Sequence, residues 1–83
     1  MEKVELLRKL IKLNVPPRYY SIGEEIKDYA HNIEKLYNGT YAVYYLERGE
    51  KSGLKIFNTE EEALSKLIER LEEDIKDGLD IST

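Results

Sequence analysis

The segment of residues 60–76 constrains the fold of this chain more than any other. Its apolar residues recur at intervals of three and four, as on one face of a helix: Ala63, Leu64, Leu67, Ile68, Leu71 and Ile75. Asn58-x-x-Glu61 and Thr59-x-x-Glu62 both fit the pattern of a capped helix start. An apolar face this continuous must cover another layer, which the rest of an 83-residue chain has to supply.

A second helix is predicted near the N-terminus. Its apolar stripe consists of Val4, Leu7, Leu10 and Ile11, with Leu6 and Leu13 widening it. Asn14 suits a helix C-cap, and Pro16-Pro17 cannot continue a helix. The sequence therefore predicts that this helix ends at about residue 14.

The middle of the chain has β character. Residues 40–46 are rich in β-branched and aromatic side chains, which suit a half-buried strand. Residues 49–53, bounded by two glycines, predict a turn, and residues 54–57 predict a short returning strand. A further short edge strand is expected at residues 19–22.

Residues 24–37 fit two structures. A helical period is met by Ile26, Tyr29, Ala30, Ile33 and Leu36, and a strand alternation by Tyr29, His31, Ile33 and Lys35. The Asn38-Gly39 dipeptide favours the strand, since a three-residue loop with a left-handed Gly39 is a common hairpin connection. The helix remains the open alternative.

The strand interpretation also gives a consistent register. With Gly39 in the loop, Leu36 lies opposite Thr40 and Ile33 lies opposite Val43. The predicted order is therefore αβββα in a single α+β domain spanning residues 1–83. We expect a small antiparallel sheet with both helices packed on one face.

The alternation of the central strand assigns its side chains to two faces. Tyr41, Val43 and Tyr45 would point toward the helices, and Ala42, Tyr44 and Leu46 would point away. Tyr44 and Leu46 make the outward face more apolar than a small monomer needs. That face is therefore a candidate binding or dimer surface.

The composition excludes several kinds of site. No cysteine is present, so disulfides, thiol catalysis and cysteine-based metal sites are excluded, and a single histidine excludes a multi-histidine metal cage. His31, opposite Tyr45 in the predicted register, suits a half-buried, hydrogen-bonded structural role. The glycines are scattered and form no phosphate-binding loop. We assign no catalytic, cofactor-binding or metal site, and we expect that the protein is not an enzyme.

Neither a membrane nor a nucleic acid is an expected partner. No apolar run approaches the roughly 20 residues of a membrane-spanning helix, and no signal-peptide pattern is present, so a cytoplasmic location is expected. Double-stranded-RNA-binding domains share the αβββα order, but they grip phosphates with lysines at the start of the second helix. Here that position holds Glu60, Glu61 and Glu62, which would repel phosphates.

The charges point instead to a basic protein partner. Residues 58–83 contain nine acidic and three basic residues, a balance of −6, whereas residues 1–57 carry +2. Such an asymmetry bears on partners rather than on the fold. A solvated helix surface is the plainer explanation, and a binding site for a basic protein is the more specific one.

Three stretches resemble a known family. They are Tyr20-Ser-Ile, Tyr41-Ala-Val-Tyr-Tyr-Leu-Glu-Arg-Gly-Glu-Lys51 and Leu54-Lys-Ile-Phe-Asn-Thr-Glu-Glu-Glu-Ala63. In order and spacing they resemble small bacterial immunity proteins encoded beside polymorphic toxins, in which Trp stands at the position of Tyr41. The resemblance implies a protein that binds and inhibits a cognate toxin without catalysis. Many such toxins are basic nucleases.

These observations select a set of candidate contact residues. They are three carboxylates of the last helix with an aromatic anchor and its neighbour on the outward sheet face: Glu69, Glu73, Asp77, Tyr44 and Leu46. The alternative function is a self-associating structural or regulatory module, a homodimer formed through the sheet face around Tyr44 and Leu46. Nucleic-acid binding is a distant third.

Overall fold

A computed structural model describes residues 2–23 and 25–78. Two helices and four strands follow one another as α1 (Lys3–Leu13), β1 (Tyr20–Ile22), β2 (Ala30–Lys35), β3 (Tyr41–Glu47), β4 (Glu50–Phe57) and α2 (Glu60–Lys76). A single 3-10 turn, Pro17–Tyr19, precedes β1. The strands form one sheet in the order β1-β2-β3-β4, so the α+β class is confirmed. Asp80 and Glu24 lie outside the described residues.

Helix α2 spans the predicted segment, and Thr59 is its N-cap. The Thr59 hydroxyl oxygen accepts a hydrogen bond from the Glu62 backbone N–H at 3.2 Å. The same hydroxyl donates to the Glu62 carboxylate at 3.1 Å. Of the two capping patterns in the sequence, the one that begins at Thr59 is therefore used.

The core lies between the helices and one face of the sheet. Helix α2 contributes Ala63, Leu64, Leu67, Ile68 and Leu71, all of them buried. They pack with Ile33 of β2, Val43 of β3, and Leu6 and Leu10 of α1. Both helices therefore cover the face that carries Val43, as the sequence predicted.

Helix α1 buries a different side from the one expected. It ends at Asn14 in the left-handed conformation (φ 56°), which confirms the cap. Leu6 and Leu10 are its buried residues, whereas Val4 and Ile11 are 56% and 74% exposed. The apolar residues span about half of the circumference of this helix, a wider arc than the face that meets α2, so periodicity alone could not select that face.

The β2–β3 hairpin confirms the strand interpretation of residues 30–35. Ile33 pairs with Val43, as predicted. The Leu36 N–H donates to the Thr40 carbonyl at 2.8 Å across the mouth of the loop. Gly39 has a φ of +86°, the left-handed conformation that the loop requires.

The β3–β4 hairpin turns earlier than expected. Its loop is Arg48-Gly49, with φ values of 53° and 79°, and Glu47 pairs with Glu50. Strand β4 therefore begins at Glu50, and the predicted turn over residues 49–53 is wrong.

A β-bulge interrupts the register between β3 and β4. Val43 pairs with Lys55, whereas Tyr45 pairs with Ser52. Gly53 and Leu54 thus face a single residue, Tyr44, and Gly53 has a left-handed φ of +64°.

The sheet is mixed rather than wholly antiparallel, because β1 runs parallel to β2. The connecting segment is held against the sheet by two polar side chains that point away from the core. The Ser21 hydroxyl donates to the Glu25 carbonyl at 2.6 Å. The Asn32 amide accepts from the Lys27 N–H at 2.9 Å and donates to the Lys27 carbonyl at 3.0 Å. Within residues 2–23 and 25–78, no helix is long and apolar enough to cross a membrane.

Truncation of Leu67 tests the core. Leu67 is completely buried, so Leu67→Ala should lower the free energy of unfolding by about 2–5 kcal/mol. Ile11→Ala is the matched control, because Ile11 is mostly exposed on α1. Urea denaturation measures both. A loss at Leu67 no larger than the loss at Ile11 would contradict the core assignment.

Substitution of Gly39 tests the β2–β3 loop. A Cβ at Gly39 would meet no heavy atom within 4 Å, so any destabilisation comes from the backbone conformation alone. Gly39→Val should cost about 1–3 kcal/mol, because a β-branched residue resists positive φ. Gly39→Asn should cost less, since Asn adopts this conformation more readily. Equal urea stability of the two variants would be inconsistent with the observed loop.

Candidate protein-binding surface and the Tyr45 cleft

The three predicted carboxylates lie along the solvent side of α2 and at its C-terminal end. Glu69, Glu73 and Asp77 are all exposed. The Glu69 carboxylate is 3.0 Å from the Lys66 ammonium, so its charge is partly compensated within the helix. Within the described parts of the chain, Glu73 and Asp77 have no ion-pair partner.

Tyr44 and Leu46 lie on the other side of the sheet. Tyr44 is only 1% exposed, so its prediction as an exposed aromatic anchor is wrong. Its hydroxyl donates to the Glu34 carboxylate at 2.8 Å, and the Lys51 ammonium sits 4.8 Å from its ring centroid. Leu46 is half-buried. The sheet thus separates these two residues from the carboxylates of α2, and the predicted set does not form one surface.

A different aromatic residue lies beside the acidic end of α2. Tyr45 points to the helix side of the sheet, where an open cleft of about 250 Å³ separates the β3–β4 hairpin from the C-terminal half of α2. We call it the Tyr45 cleft. Its lining residues are His31, Tyr45, Ser52, Gly53, Arg70, Glu73 and Asp74. It brings Glu73, one of the predicted carboxylates, next to a half-buried tyrosine.

His31 and Asp74 connect β2 to α2 at the inner wall of the cleft. The His31 Nε2 atom lies 2.7 Å from the Asp74 carboxylate, and the histidine side chain is 11% exposed. The His31 ring packs on Tyr45 with centroids 5.1 Å apart at a tilt of 58°. The hydrogen bond agrees with the structural role predicted for His31, and the ring is more deeply buried than the half-buried position that was expected.

The cleft contains serine, histidine and aspartate, but not as a catalytic relay. Such a relay needs the serine hydroxyl within hydrogen-bond reach of the histidine ring. Tyr45 stands between the other two in the sheet, because it pairs with His31 on one side and Ser52 on the other. The second ring nitrogen, His31 Nδ1, is buried without a hydrogen-bond partner. Ser52 is therefore not coupled to His31.

Arg70 forms the wall opposite His31. Its guanidinium donates a hydrogen bond to the Gly53 carbonyl in the β-bulge. A Cβ added at Gly53 would lie 3.4 Å from that guanidinium, which shows how closely α2 approaches the bulge. This contact ties the irregular part of β4 to the helix and gives the cleft a fixed outline.

Both central tyrosines of β3 are harder to ionise than a free tyrosine. Burial raises the pKa of Tyr44 to about 12, with a further contribution from its hydrogen bond to Glu34. Burial also raises the pKa of Tyr45, and the negative charges of Glu47 and Asp74 add to the effect. Glu47 and Asp74 are therefore close enough to Tyr45 to disfavour a negative charge on its hydroxyl.

A larger cleft, of about 380 Å³, runs along the N-terminal half of α2. It is lined by Leu6, Phe57, Glu61, Glu62, Ser65, Lys66 and Glu69. Glu69, already paired with Lys66, is the predicted contact residue that it contains. Within residues 2–23 and 25–78, no group of three or more His, Cys, Asp or Glu side chains could hold a metal ion.

Sequence reasoning missed the role of Tyr45, although one signal was present. The predicted register paired Tyr45 with His31 and directed both toward the helices. Their position near the end of α2, beside Glu73 and Asp74, depends on the angle at which α2 crosses the sheet. The sequence carries no local signal for that angle.

Comparison with models of protein families gives no match for this chain. Comparisons with curated proteins and with solved structures give none either.

The hydrogen-bonded burial of Tyr44 can be tested by titration. Among the seven tyrosines, Tyr44 should ionise only near pH 12, and Tyr44→Phe should remove that last step from a pH-jump absorbance titration. In the unfolded chain, the Tyr44 hydroxyl releases its proton near pH 10. The protonated hydroxyl therefore makes its full contribution to the free energy of unfolding below pH 10, and that contribution falls between pH 10 and about 12. An unchanged last step in Tyr44→Phe would contradict the burial.

Proposed function

We propose that this protein binds a basic protein partner through the acidic solvent face of α2 and thereby neutralises a toxin domain encoded beside its own gene. The observation that carries the proposal is that four exposed carboxylates, two at each end of α2, have no ion-pair partner among residues 2–23 and 25–78. The resemblance to immunity proteins supports a toxin as the partner.

The ion pairs of α2 divide its carboxylates into two groups. Four have partners inside the protein: Glu60, Glu72 and Glu69 form ion pairs with Lys3, Lys9 and Lys66, and Asp74 forms a hydrogen bond with His31. Across the described residues, the carboxylates without such a match are Glu61, Glu62, Glu73 and Asp77. The two ion pairs with α1 lie on the side of α2 next to that helix, whereas the four unmatched carboxylates face solvent.

The acidic face is held on a rigid support. The opposite side of α2 is buried along its length, from Ala63 to Leu71. Carboxylates on such a helix keep their spacing before a partner arrives, so little ordering entropy is lost on binding. Their combined field would also attract a basic protein over distances of about 10 Å at moderate salt.

Direct coverage of the partner is the simplest mode of neutralisation. A surface that matches a basic patch would occupy the groups with which a nuclease holds its phosphate substrate. No chemical step by this chain is required. The protein would act as a stoichiometric inhibitor, and dissociation of the complex would restore the activity of the toxin.

Charge reversal on α2 tests this function. Glu73→Lys with Asp77→Lys should slow association with the toxin encoded by the adjacent gene at least about tenfold at low salt, because electrostatic steering is lost. Both side chains are exposed near the C-terminal end of the helix, where lysine is well tolerated. Stopped-flow or surface-binding kinetics at several salt concentrations measure the rate.

The control carries the same change in net charge elsewhere. Glu5→Lys with Glu25→Lys alters two exposed carboxylates outside α2 and should leave most of the steering intact. In co-expression with the toxin, cells should survive with the control and lose protection with the α2 variant. Equal protection by both variants, or no association of the purified pair at low salt, would contradict the proposal.

Self-association is the second candidate, and it is supported by different residues from those expected. Leu54 and Ile56 of β4 are 46% and 50% exposed. Ile56 pairs with Ala42 on the face away from the helices, the same face as Leu46. A second copy of the chain could cover this apolar strip. Light scattering across a range of concentrations would show a dimer, which Leu54→Ser with Ile56→Ser should dissociate.

A further inference from the structure

We propose that the Tyr45 cleft receives an arginine side chain of the basic partner. The inference rests on the proposed function, because it names the chemistry by which the acidic end of α2 would hold that partner. Three features of the cleft carry it: a half-buried aromatic ring, two neighbouring carboxylates, and an outline fixed by contacts between α2 and three strands.

The aromatic ring is held in one orientation. Tyr45 packs against the His31 ring, which is itself bonded to Asp74 on α2. A ring that cannot turn away presents a permanent surface to the cleft. Guanidinium groups stack on such surfaces, and the contact strengthens when water is partly excluded, as it is around a half-buried tyrosine.

The carboxylates are placed for a planar, forked cation. Glu73 and Asp74 are consecutive residues in the last turns of α2, and both line the cleft. Glu73 is exposed and has no ion pair among the described residues. Asp74 uses Oδ2 for its bond to His31. With the ring proton on Nε2, Asp74 keeps its negative charge and its second oxygen for an incoming donor.

These features favour arginine over lysine. A guanidinium offers five donors in one plane, so it can stack on Tyr45 while it donates to a carboxylate at its edge. A lysine ammonium is a compact and strongly hydrated charge, and it would use the aromatic surface less well. The Ser52 hydroxyl, at the opposite side of Tyr45 from His31, adds a polar group in the same cleft.

Arg70 already lines the cleft, but the position of its guanidinium limits the repulsion of an incoming arginine. The Arg70 guanidinium is turned to the bulge, where it donates to the Gly53 carbonyl. Glu47, Glu50 and Lys51 of the β3–β4 hairpin line the adjoining hollow with Tyr45 and Ser52. The Lys51 ammonium lies over the ring of Tyr44, which is on the other face of the sheet. The carboxylates around Tyr45 therefore outnumber the cations that face it.

Small probes test the cleft without the partner. N-acetyl-arginine amide should produce saturable amide shifts at Tyr45, Ser52 and Glu73 in ¹⁵N-labelled protein. N-acetyl-lysine amide should bind more weakly, and N-acetyl-citrulline amide, which has the same shape without the charge, should produce no saturable shift. This order separates a stacked, charged contact from general attraction to an acidic protein.

Variants assign the two contributions. Glu73→Gln should weaken binding of the arginine probe about three- to fivefold, as expected for loss of one exposed charge pair. Tyr45→Leu should abolish the preference for arginine over lysine. Glu5→Gln is the matched control, because it removes one exposed carboxylate outside α2 and should leave probe binding unchanged. Glu73 is exposed, so its variant remains informative if Tyr45→Leu disturbs the fold.

The results can fail in two distinguishable ways. If arginine, lysine and citrulline probes give the same shifts, or if Glu5→Gln weakens binding as much as Glu73→Gln, the arginine site is wrong. That result leaves the toxin-binding proposal standing on its own test. If the probes behave as expected but no basic partner associates at low salt, the arginine site holds and the proposed function fails.

Discussion

The packing of α2 on the sheet is the interaction on which the rest of the structure depends. An 83-residue chain has room for one core, and α2 supplies half of the buried apolar cluster. The same contact brings Asp74 to His31 and Arg70 to the bulge at Gly53. Because one side of α2 is committed to the core, Glu61, Glu62, Glu73 and Asp77 face solvent, so the fold and the candidate binding surface have the same origin.

Features with a local cause could be predicted from the sequence. The limits of α2 follow from the Thr59 capping pattern and the apolar stripe, and both appear in the structure as expected. The pairing of Ile33 with Val43 follows from the conformation that Gly39 must adopt in its loop. In each case, interactions within a few residues decide the outcome, and tertiary contacts then reinforce it.

Features with a distant cause could not be predicted. The buried side of α1 depends on where α2 lies, and β1 pairs in parallel with β2, from which it is separated along the chain by a segment that Asn32 holds against the sheet. Tyr44 was assigned to the correct face but to the wrong exposure, because Glu34 and Lys51 come from two other strands to cover it. The Tyr45 cleft depends on both kinds of feature. The pairing of Tyr45 with His31 was predictable from the register of β2 and β3, and the position of this pair beside α2 was not.

The bulge in β4 also bears on how this protein can be approached. Strand β4 is a long sheet edge, and such edges invite another extended chain to add by backbone pairing. Here the Gly53 carbonyl is already occupied by Arg70, the bulge interrupts the regular strand geometry, and Lys51 and Lys55 place charges along the same strand. These features disfavour amyloid-like addition of another strand at the β4 edge. A partner that approaches this edge would therefore recognise side chains rather than the backbone.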